Sequence, residues 1–261
     1  MFEVTKYPHG TFSWADCSSS DPDKSKKFYH VVMGWDCEDL PLGEGMSYTN
    51  LKHNGHNVAG LGPMMPGQDA MPSYWTSYVN VDDADAVVNK AKELGATVIA
   101  EPMDIFDSGR MAIIQDPTGA MLGLWQANNH IGAGLVNTPG AMSWNELMTS
   151  EPQPAQDFYG KLFGWTFNTN DDSGYVEIKN NGRLNGGILP MDESYQMPPH
   201  WQPYFSVADL DATIEKVKAN GGQIHVDKNE IPDVGHFAVI GEPTGAVCTI
   251  IQMDQPQPWD V

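Results

Sequence analysis

The chain has 261 residues, 41% hydrophobic and 10% aromatic, enough for one large domain or two ordinary ones with real cores. Its 14 Lys+Arg stand against 34 Asp+Glu, a formal charge of −20, which excludes nucleic acids and anionic membrane surfaces as partners. No run reaches the roughly 18 to 20 apolar residues of a membrane span, and the opening MFEVTKYPHG lacks the basic and apolar regions of a secretion signal, so the expected location is cytoplasmic.

In chain order, residues 11–16 alternate as a strand, and Asp21-Pro22 then signals a helix start. That helix ends at Gly34. Residues 45–52 read as a strand closed by Asn54-Gly55, a pair that tolerates the positive φ of tight hairpins. The pattern then restarts: a strand at 76–81, a helix over 82–94 with Gly95 just beyond its end, and three more short strands with a turn at Asp116-Pro117-Thr118-Gly119. The second half repeats the order, with a strand at 141–147, a helix start at Ser150-Glu151-Pro152, a helix end at Gly164, a strand at 174–179 and the turn Asn181-Gly182.

The repetition is a duplication. Residues 74–126 align with 200–252 without a gap, and 19 of these 53 positions are identical. Trp14, Phe28-Tyr29 and Gly34-Trp35 return as Trp144, Phe158-Tyr159 and Gly164-Trp165. The reading is therefore α+β: two fused domains, 1–127 and 139–261, joined by a 128–138 linker, each made of two βαβββ units forming a curved, cup-shaped mixed sheet. The concave faces suit small molecules. Because the fusion already supplies a paired partner, the expected state is a monomer with an internal pseudo-twofold axis. Cys17, Cys37 and Cys248 show neither metal nor disulfide spacing and are expected to be reduced core residues.

The βαβββ order, the segments Lys27-Phe28-Tyr29 to Gly34-Trp35 and Asp157-Phe158-Tyr159-Gly160-Lys161-Leu162-Phe163-Gly164-Trp165, the Asp-Pro-Thr-Gly turn, and Trp144-Asn145-Glu146-Leu147 resemble the vicinal oxygen chelate superfamily of glyoxalases, bleomycin resistance proteins and extradiol dioxygenases. The resemblance spans nearly the whole chain, twice. Metal-dependent members hold a divalent ion as a Lewis acid on the concave face. Their ligand positions fall here on Trp14 and Trp144, Thr76 and Gln202, and Gly123 and Thr249. Only Glu177 lies near an expected carboxylate position, opposite Asn50 in the other half. The resemblance thus implies two metal-free sites without a cofactor, a divalent metal entering only if this ligand alignment is wrong.

The eight histidines show no ligand spacing, and His53 and His56 read as exposed turn residues. Arg110 overlays His236 and His56 overlays Arg183, so Arg110 and Arg183 could each place a cation beside a cup, or all four could be surface residues. Strand alternation puts Trp14 with Asp16 on one face and Trp144 with Glu146 on another. Asp16 and Glu146 are therefore the candidate general acid/base residues, since a carboxyl beside indole in a dry cavity has a raised pKa. Trp14, Trp75, Trp144, Trp201, Glu177, Arg110 and Arg183 are the candidate pocket residues. Two functions fit: a metal-free binder of a small hydrophobic or carbonyl-containing molecule, or a lyase, isomerase or hydroxylase-like enzyme acting through Asp16 or Glu146. A metal-dependent dioxygenase stands behind both.

Overall fold

A computed structural model of the chain describes residues 2–43, 45–64, 67–68, 71–192 and 197–255. The proline-rich tail, with Pro256 and Pro258, and Met65 lie outside them. Two short strands, β1 (Phe2–Glu3) and, far along the chain, β10 (Leu135–Val136), were not legible in the sequence. The first half otherwise runs β2 (Thr11–Ser19), α1 (Pro22–Met33), β3 (Asp36–Gly43), β4 (Met46–His53), β5 (His56–Pro63), β6 (Tyr74–Asn80), α2 (Ala84–Glu93), β7 (Thr97–Ile105), β8 (Gly109–Gln115) and β9 (Met121–Ala127). The second runs β11 (Met142–Thr149), α3 (Pro152–Phe163), β12 (Thr166–Thr169), β13 (Val176–Asn180), β14 (Arg183–Pro190), β15 (His200–Ser206), α4 (Leu210–Ala219), β16 (Gln223–Ile231), β17 (Gly235–Gly241) and β18 (Val247–Met253). Among the described residues this is α+β, with two curled mixed sheets and four helices. No helix among the described residues is long and apolar enough to cross a membrane.

Local chemistry sets the helix limits. Asp21 accepts from the Lys24 N–H, Pro22 fills the first turn, and Gly34 closes α1 at φ 70°. Asp83 caps α2 through the Ala86 N–H, and the helix begins at Ala84, two residues later than the pattern suggested. The hairpin Asn54 and Asn181 both adopt φ 51°.

Each half forms one sheet. The strand order β3-β4-β5-β2-β6-β9-β8-β7 of the first is matched by β12-β13-β14-β11-β15-β18-β17-β16 in the second, which β10 and β1 extend. The helices cover one face of each sheet, and these covered faces meet. α1 packs on α4, α2 packs on α3, and one apolar cluster runs from Phe12 and Trp35 to Trp165 and Ile250. The concave faces therefore point away from the shared core.

The two halves clasp each other by matched contacts. Trp35 Nε1 donates to the Gly140 carbonyl at 2.8 Å, and Trp165 Nε1 to the Gly10 carbonyl at 2.7 Å. Phe12 lies 4.9 Å from Trp201, and Phe205 lies 5.0 Å from Trp75, ring centre to ring centre. Three sequence expectations change here. Trp75 and Trp201 belong to this core, donating to Tyr29 at 3.0 Å and Tyr159 at 2.9 Å, and not to a cup rim. His53 and His56 are half-buried, lying against Gly140 and Gly134 of the connector, because the hairpin that carries them abuts the other half. Cys37 is exposed while Cys17 and Cys248 are buried, since β3 is an edge strand. The connector after β9 carries β10 and packs on the first sheet through the Ala133 N–H, which donates to the Ser13 carbonyl.

Trp165→Phe removes one arm of the clasp and leaves the buried Gly10 carbonyl, among the described residues, with the Asn185 amide as side-chain partner. The expected cost is about 1–3 kcal/mol, read as a lower urea midpoint in a still single transition. An unchanged midpoint would show that the indole N–H does not hold the halves together.

Candidate functional site

On β2 a register irregularity separates Phe12 from Trp14. Beyond it Ala15 and Cys17 enter the shared core, leaving Trp14 and Asp16 on the concave face. β4 brings Tyr48 to the same place. Trp14 Nε1 donates to Tyr48 Oη at 2.9 Å, and Asp16 Oδ2 accepts from Tyr48 at 3.4 Å and from Tyr78 of β6 at 3.2 Å. The second half repeats this arrangement. Trp144 Nε1 donates to Tyr175 Oη at 3.0 Å, Tyr204 Oη donates to Glu146 Oε2 at 2.7 Å, and Tyr175 also hydrogen-bonds Glu146. Each cup floor thus holds one carboxyl clamped between two phenols, one of them tethered by an indole.

The sheet register fixes the pattern. Asn50, Gly60, Asp16 and Thr76 stand in one row across β4, β5, β2 and β6, and Glu177, Gly187, Glu146 and Gln202 form the corresponding row. The glycine is a requirement of packing. A Cβ at Gly60 would overlap the Tyr48 hydroxyl, and one at Gly187 the Tyr175 hydroxyl, so any side chain there displaces the phenol that holds the acid.

Burial governs the electrostatics. Desolvation pushes the Asp16 carboxyl up to about 7, against the lowering effect of the Tyr78 and Tyr48 hydrogen bonds. Glu146, 6% exposed, is raised for the same reason against Tyr204 and Tyr175. Desolvation followed by the adjacent carboxyl raises Tyr48, Tyr78 and Tyr204, which stay neutral. A neutral carboxyl is a hydrogen-bond donor; an ionised one is a base.

The other sequence candidates scatter. Arg110 lies on the helix-covered face, in line with Ala112 and Ile114 of the core, and pairs with Asp85 at 2.7 Å and Asp104 at 2.8 Å. It is consumed by surface ion pairs on the far side of the sheet from the cup. Arg183 opens β14 opposite Asn180, which reaches His9 and Thr11 of the other half, and is four residues from Gly187. Glu177 lies in the acid row, its carboxylate accepting from Asn168 at 3.1 Å. Tyr48, Tyr175, Tyr78 and Tyr204 are the site residues that sequence reasoning passed over; their signal was the matching of Tyr48 with Tyr175 and of Tyr78 with Tyr204 between the halves.

The donor sets do not fit a transition metal. At the expected positions the first cup has an indole, a hydroxyl, a glycine and an amide. The second has an indole, a Gln202 amide engaged with Thr249 at 2.6 Å, and Glu177. No group of three or more His, Cys, Asp or Glu converges among the described residues, short of what such an ion requires.

The two cups differ at the indole end. In the first, Val4, Tyr7, Ile131, Ala133 and Val136 pack with Trp14, Tyr78 and Trp125, and Trp14 is 4% exposed. In the second, Trp144 is half-buried.

Residues 11–124 and 141–248 match the family described as Glyoxalase/Bleomycin resistance protein/Dioxygenase superfamily. The chain is 42% identical over 259 residues to "Putative glyoxylase CFP32" of Mycobacterium tuberculosis, covering 97% of this chain and 98% of that one. It is 29% identical over 272 residues to "Anthracycline biosynthesis protein DnrV" of Streptomyces peucetius, with 98% of each covered. In fold it resembles a Mn(II)-bound glyoxalase from Novosphingobium aromaticivorans, with a TM-score of 0.64 at 16% identity over 95% of this chain and 86% of that one.

Asp16 gives a pH signature. Its proton is held more tightly in the folded than in the unfolded chain, where the carboxyl titrates near 3.8. The folded state therefore binds more protons between pH 4 and 7, and stability falls across that window by up to roughly 4 kcal/mol. Asp16→Asn is expected to flatten this slope and to gain on the wild type as pH rises towards 7, measured by urea titrations at several pH values. Parallel pH dependence in both proteins would place the Asp16 titration outside the window.

Proposed function

We propose, from the premise that the chain belongs to the Glyoxalase/Bleomycin resistance protein/Dioxygenase superfamily, that it binds a small carbonyl-containing molecule in a metal-free cup, with the clamped carboxyl as hydrogen-bond donor. One observation carries this reading: the duplicated Trp–Tyr–carboxyl–Tyr cluster, with a half-buried Asp16 in one half, a buried Glu146 in the other and neutral phenols as their partners. With both phenols donating to it, the protonated carboxyl has its own O–H to offer, and a carbonyl oxygen is the matching acceptor. The surrounding indole and phenol rings supply apolar contact. The relatives' names, a glyoxylase and anthracycline biosynthesis proteins, agree with work on small molecules.

A second reading keeps the same geometry and adds turnover. An acid raised towards neutrality can exchange a proton with a bound carbonyl compound, as a lyase or isomerase requires. Glu146→Gln separates the two, because the amide still donates but cannot carry a proton. For a binder, Glu146→Gln holds methylglyoxal within a few-fold of wild type, Glu146→Ala weakens it roughly tenfold, and binding fades as pH rises through the raised Glu146 pKa. For a catalyst, Glu146→Gln abolishes turnover of the methylglyoxal–glutathione adduct while binding persists. Calorimetry beside product assay reads both, and binding indifferent to Glu146→Ala would overturn the carboxyl-donor reading.

A further inference from the structure

The first cup already contains a guest, and it belongs to the chain itself. After β9 the chain turns back, its path fixed by Trp125 Nε1 donating to the His130 carbonyl at 2.8 Å. The His130 ring is thereby laid 4.6 Å from Trp14 at 87°, edge to face, and 5.8 Å from Trp125. Its Nε2 is buried and, among the described residues, has no hydrogen-bond partner, and burial holds the imidazole neutral by lowering its pKa to about 4. What seats it is therefore its flat ring rather than its polar edge.

The duplicate indole is held in the same way. Trp144 is tethered to Tyr175 at 3.0 Å as Trp14 is to Tyr48 at 2.9 Å, so the two indoles present equivalent surfaces to their cups. Trp144 is nonetheless half-buried, and among the described residues no aromatic ring lies against it. Alternation from the core residues Ala238 and Ile250 puts Phe237, Val239 and Ile251 on the same concave face, where the first half has Met111, Ile113 and Trp125. The seat is apolar apart from Thr249, whose hydroxyl accepts from Gln202, and Glu146 lies two residues along β11, about 7 Å away.

We propose that the second cup takes a flat ring compound, seated edge to face on Trp144 in the place that His130 fills in the first, with a ring ketone reaching Glu146. The ring-seat part rests on the packing around Trp14; the ketone part rests on the carbonyl reading above. One chain accordingly binds one such ligand.

Titration calorimetry of the full chain with 1-indanone and 9-fluorenone, against cyclohexanone and methylglyoxal, tests it. The flat ketones are expected to bind roughly tenfold more tightly than cyclohexanone, at one equivalent per chain. Trp144→Leu removes that preference, Trp144→Phe retains most of it, and the Trp144 indole N–H resonance shifts on binding. Far-UV circular dichroism checks that Trp144→Leu folds, and the indole resonance serves if it does not. In His130→Ala the vacated seat gains a second equivalent of flat ketone or of imidazole. Absence of a flat-ring preference, or an unmoved Trp144 resonance, overturns the proposal. If aliphatic carbonyls bind equally well with sensitivity to Glu146→Ala, the ring seat fails and the carbonyl reading stands. If flat rings bind without such sensitivity, the carbonyl reading fails and the ring seat stands.

Discussion

A carboxyl group withdrawn from water, with no cation beside it, holds its proton more tightly than usual unless hydrogen bonds stabilise its charge, and among the described residues two acids stand in that position. Two phenols reach each acid, but neither is charged, and desolvation outweighs them both. Arg110, which could have reversed the balance, spends its charge on Asp85 and Asp104 across the sheet. The rest of the site follows from keeping the phenols in place. Gly60 and Gly187 are bare so that Tyr48 and Tyr175 fit, and Trp14 and Trp144 hold those tyrosines by their indole N–H groups. The acid, two phenols, indole and glycine form one unit, inherited by both halves.

The duplication also makes the halves depend on each other. Each helix-covered face would be an exposed apolar surface if the halves separated, and the matched indole-to-carbonyl clasps at Gly10 and Gly140 set their relative position. Symmetry breaks where the chain must connect them. The connector and the N-terminal segment lie in the first cup, where Val4, Tyr7, His130 and Ile131 join Trp14. One ancestral cup has thereby become partly filled by its own chain, while the indole of the other stays partly open.

Much of the fold was legible because it rests on local chemistry. A helix start such as Asp21-Pro22, stops such as Gly34 and Gly95, and the Asn-Gly turns follow from backbone preferences, and the repeat shows in the paired tryptophans. Alternation correctly groups residues by face, but it does not say which face is concave. Trp75 and Trp201 therefore looked like pocket residues although they sit in the core, and Arg110 looked like an anion holder although it faces the helices. The same limit hid the phenols: Tyr48 and Tyr78 lie far apart in sequence and meet Asp16 only through sheet register. The connector was opaque for a different reason, since its Asn, Gly and Pro content marks a turn without revealing the surface on which it packs.

The claim that these acids are neutral donors is open to direct observation. Carbon-13 NMR of carboxyl-labelled Asp and Glu, followed through a pH titration, resolves the protonated form of each group. One aspartyl carboxyl is expected to titrate near pH 7, absent in Asp16→Asn, and one glutamyl carboxyl to titrate above the usual range of about 4, absent in Glu146→Gln. If every carboxyl in the folded protein is ionised by about pH 5, the clamps hold charged groups, and the donor chemistry derived from them is wrong.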